Sequence, residues 1–257
     1  MHILTSDNSQ QPGTIPGRER KDIMELASTK ELVLHNQPDY LDRKIAPRQP
    51  GSAYTHLLGA VFAVLGAFPL LQRAAATSGL SLFSCTAFIL GMFLLYSAST
   101  LYHTFGRTRK SFLRLKKLDH LMIYVLIAGT YTPVCLLALN GTMSKLLITL
   151  VWGIAFIGIF QCLFFIHCPK WVSAVIYILM GWCCLLAFPQ LLSNVPTGAF
   201  ALLLAGGIIY TIGGVIYALK LPLFDNRHPN FGLHEIFHCF CLAGSLCHYL
   251  FVYCYLA

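Results

Sequence analysis

Residues 84–105 read SCTAFILGMFLLYSASTLYHTF, twenty-two positions without one charged side chain. As a helix rising 1.5 Å per residue this stretch reaches about 33 Å, enough to cross a hydrocarbon core of roughly 30 Å. Its polar end is as telling as its apolar body: Ser99 and His103 stand four residues apart and share one helix face. Six further stretches of the same kind surround it, at 54–72, 118–139, 145–164, 172–192, 198–220 and 232–256. The pattern predicts an all-α integral membrane bundle of seven helices over residues 51–257. Residues 1–50 are polar, with Pro-Gly at 12–13 and Pro-Arg-Gln-Pro-Gly at 47–51, and read as a tail rather than a domain. Within them, Arg18 to His35 reads either as a short amphipathic helix on the membrane face or as plain disorder.

Composition agrees. Of 257 residues 56% are apolar or aromatic and 11% charged, against roughly a quarter charged in a soluble domain. After Asp42 the only carboxylates are Asp119, Asp225 and Glu235, too few to clothe a soluble surface. The net charge of +8 does not indicate nucleic acid, because the basic residues sit in the tail and one short loop with no aromatic interleaving. Most of the ten cysteines fall inside apolar runs and read as small hydrophobes, with no disulfide framework. The first residues carry neither a basic n-region nor an apolar h-region, so the first span is expected to act as the insertion signal.

Lysine and arginine placement orients the bundle, since positive loops stay in the cytoplasm. Seven lie in the tail, six in the loop after the second span (Arg107, Arg109, Lys110, Arg114, Lys116, Lys117), and Lys170, Lys220 and Arg227 join them, against Arg73 and Lys145 opposite. The N-terminus is therefore expected inside and the C-terminus outside, in the plasma (inner) membrane, the reverse of a G-protein-coupled receptor. Packing cues follow. Gly59, Ala63 and Ala67 form a small-residue stripe for close helix approach, Pro133 and Pro189 are expected to bend or end their helices, and Gly206-Gly207 and Gly213-Gly214 suggest tight contacts in the sixth span.

Polar groups within spans are costly and mark function, and three patches stand out: Ser99 with His103 at the end of the second span, Asp119-His120 at the start of the third, and His234 with His238 at the start of the seventh. The topology puts all of them at one depth, in the cytoplasmic third of the bilayer. Three neutral histidines with the fourth position left to water are a recurrent zinc arrangement, suited to hydrolysing an amide or ester. Asp119 is the candidate for orienting water or taking its proton, and Ser99 for a hydrogen bond to water, ligand or oxyanion. Singly, each has a bland reading: Ser99 bonded back to its own helix, His103, His234 and His238 as interfacial residues, Asp119 as an N-cap. Their shared depth favours the metal site. Imidazole ligands suit zinc but also copper, iron or nickel.

His234-Glu-Ile-Phe-His238 also matches the H-E-x-x-H zincin pattern, yet no acidic residue follows Glu235 and the metzincin third-histidine position is Gly244. Glu235 is therefore read as orienting His238 or the helix start. His56, His120, His167, His228 and His248 are left outside the ligand set, with His120 placed about 100° around the helix from Asp119 and His248 packed against another span.

Tyr102-His103, the run from Leu118-Asp119-His120 through Gly129-Thr130-Tyr131-Thr132-Pro133, and Gly232-Leu-His234-Glu235-Ile-Phe-His238 closely resemble the hemolysin III family, the bacterial-type branch of the progestin and adipoQ receptor superfamily. The likeness covers about residues 52–257. Resemblance to the adiponectin-receptor branch implies one Zn2+ at His103, His234 and His238, with Ser99 and Asp119 close to its water. The wider superfamily includes alkaline ceramidases, which implies membrane-lipid partners and a sphingolipid- or fatty-acyl-like substrate. Names in the bacterial branch imply instead cytolysis or pore formation, and the receptor branch implies a receptor-like protein with a structural metal. Because the polar cluster sits at one end and the outer halves of the spans are apolar, a lipid hydrolase ranks above a pore, and a receptor ranks third because no signalling domain is recognisable in the sequence.

Overall fold

The computed structural model describes residues 46–164, 170–219 and 231–257. The tail reading, its Arg18–His35 segment and the residues His167, Lys220, Arg227 and His228 lie outside these. Residues Pro47–Ala257 form one compact unit, all-helical among the described residues. Seven helices in it are long and apolar enough to cross a membrane: Pro50–Thr77, Gly79–Phe105, Arg109–Ala138, Gly141–Phe164, Val172–Asn194, Thr197–Leu219 and Leu233–Tyr255. Each coincides with an expected span.

Local chemistry sets the boundaries. The Ser78 side chain accepts from the Ser81 N–H and opens the second span one residue after the first ends, a cap of the usual kind. Gly141, at φ +60°, makes the turn into the fourth span in a region other residues adopt only with strain. Glu235 accepts from the Gly232 N–H at 2.8 Å and so starts the seventh. The third span begins at Arg109 rather than near 118, because Thr108 and Ser111 exchange side-chain-to-backbone hydrogen bonds as a capping box. Most of the basic loop is thus helical, its long side chains placed to reach the headgroups.

The prolines act as expected. After Pro133 the third span passes into a π-helix, Val134–Ala138. The fifth switches to a 3-10 segment, Trp182–Ala187, before restarting at Phe188 with Pro189 in its first turn. The freed Gly181 carbonyl accepts from the Tyr131 hydroxyl at 2.5 Å, and the Cys184 N–H donates to the same hydroxyl oxygen at 2.9 Å, so the break is stitched to the third span.

Successive helices pack side by side along the bundle, the fourth meeting the fifth at its 3-10 segment, the seventh returns to the first, and the third also meets the fifth. Small residues decide the closest approaches. A Cβ on Gly129 would lie 2.8 Å from the Ala87 carbonyl oxygen, and one on Gly91 3.1 Å from that of Val125, so the second and third spans meet backbone to backbone. On the first span the tight stripe is Gly59, Ala63 and Gly66 rather than Ala67: Gly59 abuts Tyr96 and Leu242, Gly66 abuts Tyr249, and Ala67 is only half-buried. In the sixth, one glycine of each pair serves, Gly206 against His248 and Gly213 against Phe240. Outward, Phe68, Ile157 and Leu65 are 75%, 70% and 69% exposed, a surface that suits acyl chains and not water.

Candidate metal centre

Inside the bundle lies a cavity of about 230 Å3 lined by residues of every span but the fourth. Its wall follows the seventh span from His234 to His248, fourteen residues or about 21 Å of helix. Most of its lining is apolar, with Leu126, Ile127, Val134, Leu191 and Phe200 among it. Ser99, Asp119, His234 and His238 line it as well, and His103, outside the lining itself, stands against His234 and His238. His103 and His238 are buried, each 2% exposed. The Nε2 atoms of His103 and His234 stand 3.2 Å apart, and one nitrogen from each of the three histidines falls within 4.8 Å of the others.

A tetrahedral ion with bonds of 2.0–2.1 Å holds its nitrogens about 3.4 Å apart. One pair already meets that spacing, and the widest needs a rotamer adjustment of about an ångström, so the donor set fits. The equal-depth expectation is realised as contact across 131 residues of sequence.

Ser99 does not bond back to its own helix. It is 1% exposed, its Oγ makes no hydrogen bond of ordinary length within the protein, and the hydroxyl faces the Asp119 carboxylate, with which it shares the cavity wall. A buried hydroxyl costs free energy unless something accepts or donates, a need that Asp119 or a ligand in the cavity meets. The Asp119 side chain is 14% exposed on the same wall. His120 is nearer than helix geometry implied: its Nδ1 lies 3.5 Å from Asp119 Oδ2, and it too lines the cavity. Long side chains on adjacent helical positions bend toward each other where a carboxylate attracts an imidazole.

His56, left out on sequence grounds, belongs to this neighbourhood. Its ring stacks on that of His238 with centroids 3.5 Å apart and planes 11° from parallel, both its nitrogens are buried without partners, and it lines the cavity. It lies in the second turn of the first span, at the end of the bundle where the three ligand candidates gather; that depth was the signal available for it. His248 packs as expected, stacked on Tyr210 at 5.6 Å against the sixth span. Beside it Ser245 Oγ joins the hydroxyls of Tyr96 at 2.5 Å and Tyr210 at 2.6 Å. This polar node within the spans was not anticipated, because three residues on three helices carry no shared motif.

Glu235 takes the helix-start role. Besides capping Gly232 it accepts a hydrogen bond from Ser52 Oγ, pinning the seventh span to the first. Cys239 is exposed and Cys241 buried, and both are free thiols.

The arrangement agrees with comparison to known proteins. The family model described as "Haemolysin-III related" matches residues 46–249. The chain is 35% identical over 195 residues to Hemolysin-3 of Bacillus cereus, covering 76% of this chain and 85% of that protein. It is also 35% identical to the Hemolysin-3 homolog of Bacillus subtilis (strain 168), over 76% of this chain and 87% of that one. To the human monocyte to macrophage differentiation factor it is 28% identical over 212 residues, 80% of this chain and 83% of that protein. A seven-span membrane bundle with three histidines gathered at one end, matched over most of its length by these proteins, belongs to the haemolysin III-related family.

Proposed function

We propose that this protein is a metal-dependent hydrolase of a lipid-like amide or ester, with Zn2+ held by His103, His234 and His238 and the scissile group reached from the cytoplasmic side of the plasma membrane. The observation that carries the reading is the cluster of three imidazoles, two of which, His234 and His238, line one long and mostly apolar cavity together with the Asp119 carboxylate and the Ser99 hydroxyl. The apolar wall suits an acyl or sphingoid chain, and the polar end suits its carbonyl.

When bound, the ion supplies a Lewis acid and brings the pKa of water to about 7. Asp119 holds the attacking water by its carboxylate and takes its proton as oxygen adds to the carbonyl carbon. Ser99 donates from Oγ to the developing oxyanion. As the C–N or C–O bond breaks, Asp119 returns the proton to the leaving amine or alcohol, and a fatty acid remains. Water is kept to the histidine end by the apolar wall beyond.

The relatives' names support a second reading, a cytolytic pore. Against it stands the same wall, since Leu126, Ile127, Val134, Leu191 and Phe200 offer a passing ion nothing to replace its hydration shell. The test is purification in detergent, metal analysis, and a screen of ceramides and acyl esters. About one zinc per chain with turnover that chelation abolishes supports the hydrolase. Histidine-independent currents in planar bilayers would favour the pore, and metal with a blank screen would leave a structural or receptor-like site.

A further inference from the structure

The first span contributes no imidazole to the triad, yet its N-cap residue Gln49 and its Thr55 hold the outer nitrogens of two triad members. Resting on the triad as the metal site, we propose that Gln49 and Thr55 are positioning residues that keep His103 and His238 in the tautomer presenting Nε2 to the ion.

Hydrogen accounting carries the assignment. Gln49 Oε1 lies 2.7 Å from His103 Nδ1 and accepts from an Arg48 guanidinium nitrogen at 2.9 Å. A guanidinium only donates, so the amide atom facing both groups is the oxygen, and an amide oxygen only accepts. The proton therefore resides on His103 Nδ1. Thr55 has one hydroxyl proton, and the Gly51 and Ser52 carbonyls accept it at 2.9 and 3.0 Å. Toward His238 Nδ1, 3.0 Å away, it offers a lone pair, so that nitrogen also carries hydrogen.

A neutral imidazole protonated at Nδ1 has its free lone pair on Nε2. In His103 that is the nitrogen 3.2 Å from His234 Nε2, and in His238 it is the nitrogen that Thr55 leaves for the ion. The supports are themselves anchored. The Gln49 N–H donates to the His103 carbonyl at 3.0 Å, and the Ser52–Glu235 bond holds the seventh span against Thr55. One helix thus sets the lone pairs that two others supply, as outer partners of ligating histidines do.

Zinc affinity measured against a competing chelator on the full-length protein tests this, together with thermal stability without metal. Gln49→Leu and Thr55→Val each weaken zinc binding about 10- to 100-fold and lower metal-free stability as well, because a buried Nδ1–H is left without an acceptor, whereas Gln49→Glu and Thr55→Ser, which keep an acceptor, retain wild-type affinity. Wild-type affinity in the Leu and Val variants overturns the proposal while leaving the metal site standing. A wild-type protein that binds no zinc overturns the metal site itself. Should the Leu and Val variants fail to fold, imidazole 15N–1H spectra of the metal-free wild type decide: Nδ1–H on His103 and His238 is expected, and Nε2–H on either is fatal to it.

Discussion

His56 lies flat on His238, their ring centroids 3.5 Å apart, and neither His56 nitrogen has a hydrogen-bond partner. Two polar atoms buried without partners cost about 1–3 kcal/mol each. A phenyl ring keeps the stacking and removes that cost. His56→Phe is therefore expected to raise the melting temperature of the protein without lipid and to leave zinc stoichiometry unchanged. A lower melting temperature would mean that the nitrogens are partnered after all. Calorimetry in detergent with metal analysis reads both effects.

Asp119→Asn preserves shape and removes the proton acceptor. About one zinc per chain should remain while turnover falls by about 10^2-fold or more, in the range typical of lost general-base catalysis. Loss of zinc in this variant would instead make Asp119 a ligand.

Zinc that binds only the folded bundle stabilises it by mass action, about 2.7 kcal/mol at a hundred times Kd. Thermal unfolding with and without chelator should show that increment in the wild type. In His234→Ala it should vanish along with stoichiometric metal. An increment that survives would place the ion elsewhere.

Gly129 sits where the second and third spans touch, 2.8 Å from the Ala87 carbonyl oxygen once a Cβ is added. Backbone does not yield as a side chain does, so Gly129→Ala is expected to cost about 1–3 kcal/mol. Because Asp119 rides on the third span, reduced turnover should accompany it. Gly153→Ala in the fourth span, where nothing lies within 4 Å of the new Cβ, is the matched control and should cost nothing in thermal unfolding.

Seven spans were legible along the chain because the requirement is local: each run must be long and apolar enough to bury its own backbone in lipid, and the run 84–105 meets it without reference to any other residue. The grouping of His103, His234 and His238 was legible for a related reason. Topology fixes depth, and polar groups at one depth on apolar helices have few places to go but toward each other.

What lay out of reach depends on which faces meet. The small-residue stripe of the first span runs through Gly66 instead of Ala67 because Tyr249 packs there, a choice made by a helix some 180 residues away. His56 looks like any histidine one turn into a span until the seventh helix lays His238 on it. Gln49 and Thr55 look like ordinary polar residues at a helix start until their partners arrive. From residues 84–105 outward, the sequence by itself determined that this protein crosses a membrane seven times and gathers three imidazoles at one end. Only the tertiary structure decided which nitrogen each of two imidazoles turns inward, because hydrogen-bond direction is set by neighbours in space.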